Sequence, residues 1–346
     1  MTKPKVILGL SGGVDSAVAA LLLRESYDVH CVWLDIGLGG GEDAAAMADW
    51  LGLPFEKGDI RAELEHFVCQ PFIQDYLTGR TPLPCARCNP LVKFPALVQV
   101  GQRLGAEYIA TGHYARVAKG PDNRVLLRRG LPANDQSYML GRLTQHLLRS
   151  TLFPLGGYEK VQVRALAEQW EIPVAHKPDS MEICFIPDGD YAAWLDQRGP
   201  TPPPGDFIDR AGRVLGRHLG IHHYTVGQGR GLGVSGPHRY YVCEINAADN
   251  TVTLSDGSDL MARRIFCTHP NWIAIPDLEA PMPVTVRLRH SRGETAAQLY
   301  PWKDGVALKL ATPARAPTPG QLAVFYHEDI VVGSAWIERE RADTWN

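Results

Sequence analysis

The stretch Val6–Ser16, VILGLSGGVDS, constrains the fold of this chain more than any other. Val6-Ile7-Leu8 is a short apolar run suited to a buried parallel strand. Ser11-Gly12-Gly13 follows directly, and beyond Asp15-Ser16 the segment AVAALLLRE is a strong helix former. The unit reads as strand, tight glycine turn and helix N-terminus. Glycines allow close approach of backbone to an anion, and the free N–H groups of the first helical turn point at it. A Walker loop would carry Lys at the helix start; Asp15 and Ser16 stand there instead. The plain alternative is an ordinary glycine turn. Six matching residues in a strand–turn–helix setting argue for a phosphate cradle.

SGGVDS in this setting resembles the PP-loop of ATP pyrophosphatases. The resemblance implies cleavage of ATP between its α and β phosphates and adenylation of a substrate. It leaves the substrate open.

After the first helix, DVHCVWLD (28–35) reads as a second buried strand, GLGGG (37–41) as a loop and EDAAAMADWL as a helix stopped by Gly52. PFEKGD is a short strand leading into an acidic helix, RAELEHFVCQPFIQDYL. Leu91–Gly105 reads as a helix, and AEYIATGHY as a strand ending in Thr111-Gly112-His113. This alternation predicts βαβ units and a parallel sheet. Ligands of such sheets sit beyond the carboxyl ends of the strands, where the glycine turn, Leu34-Asp35 and Thr111-Gly112-His113 all fall. Asn134–Ser150 and Lys160–Glu171 read as further helices after a basic strand, VLLRR. From about residue 200 the pattern changes: RGPTPPPGD is a Pro-rich break, followed by short β-like runs with Pro and Gly at hairpin spacing. PNWIAIPDLEAPMP (270–283) looks like a second join. The expected layout is an α/β parallel-sheet domain over 1–199, a small β domain over 200–268 and a β-barrel over 269–346.

A chain of 346 residues, 45% hydrophobic, has enough apolar mass for several cores. No apolar run approaches the ~18 residues of a membrane span, and MTKPKVILGLSGG does not read as a signal peptide. Seven cysteines without disulfide-like spacing suit a reducing cytoplasm, where clustered Cys point to catalysis or metal. The formal charge of −3 is unevenly spread. Residues 1–76 carry 5 Lys/Arg against 12 Asp/Glu, whereas 116–149 carry 7 against 2 and 201–240 carry 5 against 2 with four His. An acidic body with basic segments fits a polyanion held along one face; clustered surface charge fits equally.

Two cysteine segments carry candidate chemistry. In TPLPCARCN (81–89) two prolines predict an extended loop, with Cys85 and Cys88 on a stiff turn able to share one ligand or bond. The dipole of the helix from Leu91 is expected to lower the pKa of a nearby thiol. In DSMEICF (179–185), Cys184 stands in an apolar run, and alone it would read as a buried small hydrophobe. A CxxC also reads as half a zinc site or a redox pair, yet no second CxxC exists.

SGGVDS, GRTPxPxxxCN (79–89), TGHYAR (111–116), DQSYML (135–140), DSxxICFI (179–186), YTVGQGRGLG (224–233) and TPGQLAVFY (318–326) occur in this order. Together they resemble the tRNA-specific 2-thiouridylases of the MnmA/TrmU family over nearly the whole chain. The resemblance implies a PP-loop domain, a small central β domain and a C-terminal β-barrel. It implies conversion of the wobble uridine of certain tRNAs to 2-thiouridine with ATP, Mg²⁺ and a persulfide sulfur delivered by a donor protein. Carried over by position, Gly9, Leu10, Ser11, Gly12, Gly13, Val14, Asp15 and Ser16 hold ATP, with Leu34 and Gly112 near the adenosine. Cys88 is the implied nucleophile and Cys184 the persulfide carrier. His113, Asn134, Asp135, Gln136, Arg289, His290 and Gln321 match tRNA-contacting positions, though His113 also reads as a strand-end residue satisfied by its neighbours.

Three departures from the family pattern matter. Leu34 replaces a usual Met, the insertion after that strand is cut to GLGGG, and Cys85 replaces a usual Asp. Cys85, Cys88 and Cys184 therefore match either the two-cysteine persulfide route or three ligands of a [4Fe–4S] cluster with one iron open, as in related thiolases. Two rival classes remain at this point: a PP-loop amide-forming ligase and a non-enzymatic tRNA-binding module. The first has no use for three cysteines, and the second needs neither the loop nor the thiols.

Overall fold

The computed structural model describes residues 3–178, 183–290 and 293–339. Strands β1 (Lys5–Gly9), β2 (Asp28–Asp35), β3 (Phe55–Asp59) and β4 (Tyr108–Ala110) open the chain. β5 (Ala115–Lys119) and β6 (Val125–Arg129) form a hairpin that leaves for another sheet, and β7 (Thr151–Leu152) returns. The first sheet has the order β3-β2-β1-β4-β7, parallel throughout. β1 is central and apolar because both of its faces are covered. Val6 and Leu8 pack on α1 (Val14–Arg24) and α2 (Gly41–Leu51), while Ile7 faces helix Phe94–Leu104 through Leu97. α2 ends at Gly52, which adopts φ 65°, a left-handed stop that costs glycine nothing.

The second sheet comprises β8 (Gly205–Ile208), β9 (Val214–His218), β10 (Tyr241–Asn246) and β11 (Thr251–Ser255) around Phe207, Val242 and Val252. The third comprises β12 (Met261–Trp272), β13 (Met282–Arg287), β14 (Glu294–Trp302), β15 (Gly305–Arg315), β16 (Leu322–His327) and β17 (Ile330–Ile337). These strands run β12-β15-β14-β13-β16-β17, and β12 pairs again with β17, so the antiparallel sheet closes into a barrel among the described residues. Its interior is apolar, with Val286, Leu299, Leu308 and Phe325 fully buried. The α/β class and the two β units thus stand as expected. β12 (Met261–Trp272) runs across the expected 268/269 boundary and into the start of the 270–283 join.

The β5–β6 hairpin was not foreseen in its sheet: β6 pairs with β17, docking the first unit on the barrel. The helix expected over Asn134–Ser150 is two short ones, Ser137–Leu140 and Gln145–Leu148. Thr144 breaks the run because its hydroxyl caps the second helix, accepting from Leu147 N–H at 3.4 Å. The helix expected from Leu91 instead starts at Pro84. It runs as an α-turn (Pro84–Cys88), a π-helical turn (Asn89–Lys93) and then Phe94–Leu104.

Candidate active site

The glycine turn closes on itself. Ser16 Oγ donates to Gly13 O at 3.0 Å and accepts from Ser11 N–H at 3.2 Å. Gly12 is left-handed (φ 75°), and a Cβ there would meet the Asp43–Ala44 backbone at 3.0–3.2 Å, so no other residue fits without displacement. Gly112, at the end of β4, lies so near the α1 start that a Cβ would touch Asp15 and Ser16 at 3.3 Å. No side chain caps the N-terminus of α1, so its N–H groups remain available to an anion.

Asp15 is engaged from outside the motif. The Tyr114 hydroxyl donates to it at 2.6 Å, and Lys160 Nζ sits 2.7 and 2.8 Å from its two oxygens. Lys160 opens helix Lys160–Gln169, packed beside α1. The loop thus has a lysine after all, supplied from 145 residues downstream. Only the tertiary packing reveals it.

A cavity of about 460 Å³ joins this loop to the cysteines. It is lined by Gly9, Leu10, Ser11, Asp15, Ser16, Leu34, Gly112 and His113 on one side, and by Cys85, Cys88, Lys93 and Cys184 on the other. Gln136 also reaches it. Cys85 and Cys88 lie on the helical turn Pro84–Cys88, not on an extended loop, because Pro84 at the first position presets helical φ. Cys184 is exposed rather than a buried hydrophobe; its neighbours Phe185 and Ile186 fill the core instead. Residues 179–182 of that segment lie outside the described residues.

The thiol electrostatics reverse the helix-dipole expectation. Burial pushes Cys88 up to about 11, and the Lys93 charge and backbone N–H pull it partly back. Cys184 reaches solvent, yet the surrounding cavity walls desolvate its sulfur and raise its pKa, again opposed by Lys93. Cys88 ends the Pro84–Cys88 turn and directly precedes the π-helical one, so it lies inside a continuous helix with no free N-terminus to help it. The π-turn places Lys93 at its end, and sequence reading missed this residue. His113 lines the same cavity with its Nδ1 2.7 Å from Thr111 Oγ1. Burial depresses its pKa to about 3, so its ring is neutral. His113 thus bonds to its strand neighbour and also faces the cavity.

The cysteine turn is clamped by the barrel. Gln321 Nε2 donates to Thr81 O and Pro82 O at 3.0 and 3.1 Å, and Thr81 N–H donates to Pro319 O at 2.9 Å. Arg80 forms a two-pronged pair with Glu338 at 2.6 and 3.0 Å. Asn89 Nδ2 donates to Met139 O, tying the cysteine helix to Ser137–Leu140.

Most other positions matched to tRNA contacts also make internal bonds. Asp135 accepts from Gly130 N–H, Ser137 N–H and Oγ, and the buried Arg287 at 3.1 Å. Gln136 Oε1 accepts from Tyr114 N–H at 2.9 Å. Asn134 N–H donates to Leu131 O, closing the turn before them. Arg289 donates to Ala316 O and Thr318 Oγ1, and His290 O accepts from Arg287. The basic 116–149 segment is likewise largely spent within the molecule. Arg116 and Arg128 pair with Asp329, Arg129 with Glu294, and Arg124 and Arg142 with carbonyls. That charge sits at the hairpin–barrel seam because Asp329 and Glu294 belong to the barrel side.

A glycine loop on a parallel sheet, with a thiol-lined cavity and two β units, defines a protein of the HUP, PP-loop-like class. Residues 4–188 match the family model described as tRNA methyl transferase HUP domain. Residues 193–256 match the tRNA methyl transferase PRC-barrel domain, and 262–337 the aminomethyltransferase beta-barrel domain. The tRNA-specific 2-thiouridylase MnmA of Heliobacterium modesticaldum is 44% identical over 97% of this chain and 93% of its own. MnmA 2 of a Thermoanaerobacter species is 42% identical over 97% and 98%, and MnmA of Acetivibrio thermocellus is 41% identical over 98% and 100%. The chain belongs to the MnmA family of tRNA-specific 2-thiouridylases.

Proposed function

We propose that this chain is a tRNA sulfurtransferase that adenylates the C2 carbonyl of a wobble uridine and replaces its oxygen with sulfur. The observation that carries the reading is the single cavity shared by the SGGVDS loop and three cysteines. A carbonyl oxygen is a poor leaving group; transferred to the α-phosphate of ATP with loss of pyrophosphate, it departs as AMP. The α1 N-terminus and Gly9–Ser16 would meet the phosphates, with Leu34 and Gly112 beside the adenosine. Asp15 would hold Mg²⁺, which supplies charge neutralisation to the phosphates, while Lys160, released from Asp15, turns to the same anion.

In the persulfide route, Cys184 carries the transferable sulfur received from a donor protein. Cys88 thiolate attacks Cys184 Sγ, forming the Cys88–Cys184 disulfide and releasing the terminal sulfur as hydrosulfide. The hydrosulfide adds at C2, AMP leaves, and a thiol reductant restores both cysteines. Lys93 favours the thiolate that begins this step, and neutral His113 holds the wall of the cavity without adding positive charge.

Cys85 supports a second route. The three sulfurs are not all within 4.8 Å of one another, too spread for one metal ion, but they open on one cavity. Three thiolates suit a [4Fe–4S] cluster, which when bound would supply an open iron for the sulfur to be transferred. Cys85, Cys88 and Cys184 would hold it.

The reading is tested by tRNA-dependent ATP–pyrophosphate exchange and nucleoside mass spectrometry for 2-thiouridine. ADP and phosphate as products, or unmodified uridine, would overturn it. Iron and sulfide analysis after anaerobic purification, repeated on Cys85→Ala, separates the routes. An iron-free wild type whose Cys85→Ala variant still thiolates leaves the persulfide route alone.

A further inference from the structure

The PP-loop cavity leaves one constellation unused. Asp196 ends helix Tyr191–Asp196, and His222 and His223 lie on the 3-10 turn Ile221–His223 of the central β unit. Asp196 Oδ1 is 2.9 Å from His222 Nε2, and Oδ2 is 3.8 Å from His223 Nε2. The two imidazole centroids are 4.3 Å apart. Among the described residues this is the only trio of His, Cys, Asp or Glu whose donor atoms all lie within 4.8 Å of one another.

We propose that Asp196, His222 and His223 form a divalent-metal site of the zinc class. Zinc bonds of about 2.0–2.2 Å at tetrahedral angles set neighbouring donors about 3.3–3.6 Å apart. The two Asp–His separations, one to each carboxylate oxygen, lie on either side of that spacing. A hydrogen-bonded strut would need only His222, and 3.8 Å is too long for His223 to be its second bond. Thr201 Oγ1 donates to Asp196 Oδ1 at 2.9 Å, the kind of outer bond that fixes a ligating carboxylate. His222 is 1% exposed and Asp196 45%, so the site is anchored on one side and open to water on the other. A metal here would tie helix Tyr191–Asp196 to the 3-10 turn Ile221–His223, independently of the thiolation reading.

The test uses Co²⁺ as the probe in full-length protein carrying Cys85→Ser, Cys88→Ser and Cys184→Ser, which removes competing thiolates. We expect one Co²⁺ per chain, visible d–d bands without a sulfur-to-cobalt band, and displacement by Zn²⁺. His223→Ala, at a half-exposed position, and Asp196→Asn should each weaken binding tenfold or more with the far-ultraviolet dichroism unchanged. No Co²⁺ uptake, or uptake unaffected by both substitutions, would make the trio a hydrogen-bonded strut and overturn the site. Should Asp196→Asn unfold the chain, His223→Ala alone decides.

Discussion

Replacing Lys93 by Met should slow every reaction of Cys88 that passes through its thiolate. The native thiol sits at about 11, held there by burial against the pull of Lys93. At pH 8 about one molecule in a thousand then carries the thiolate. Removing one neighbouring positive charge raises a thiol by about one further unit, equivalent to ~1.4 kcal/mol and a tenfold smaller thiolate population. The assay is the rate of Cys88 alkylation by iodoacetamide between pH 7 and 10, read by peptide mass spectrometry in a Cys85→Ser background. The logarithm of the rate should climb with slope near one in both proteins, with the Lys93→Met line displaced about one pH unit upward. Single-turnover sulfur transfer should fall by the same factor. Superimposed profiles, with unchanged dichroism, would show that Lys93 does not set the thiol. A wild-type plateau below pH 9 would show that burial does not either.

Asp15→Ala should cut ATP–pyrophosphate exchange at least tenfold with secondary structure intact; wild-type exchange would reduce Asp15 to an anchor for Lys160. Neutral His113 makes the folded state bind fewer protons than the unfolded state between pH 6.5 and about 3, so stability falls as pH drops through that window. The slope is at most about 1.4 kcal/mol per unit, and His113→Phe should flatten it in urea titrations at pH 7 and 5; identical slopes would contradict the assignment. tRNA affinity should fall as salt rises, by an order-one slope in log K per phosphate contact, and Arg289→Ala should weaken it while ATP binding persists. An affinity indifferent to salt would sink the polyanion reading.

The local code of VILGLSGGVDS determined its own strand, turn and helix, because an apolar run, a left-handed glycine and a helix-forming segment are written in adjacent residues. Ordered motifs likewise sufficed for the family and for the three-part architecture. The sequence could not show that Lys160 engages Asp15 beside the glycine loop, since that contact spans 145 positions. Nor could it show that Cys88 lies within a continuous helix, because the proline that suggested a loop is also the favoured first residue of a helix. The burial that makes Cys88 a reluctant thiolate belongs to the packed cavity, not to its neighbours in the chain. The basic hairpin is the clearest case. Its arginines read as a polyanion face, yet strand pairing sets them against Asp329 and Glu294, acids more than 160 residues away. Residue types fix which charges exist; only the fold decides which of them meet each other and which remain to meet a ligand.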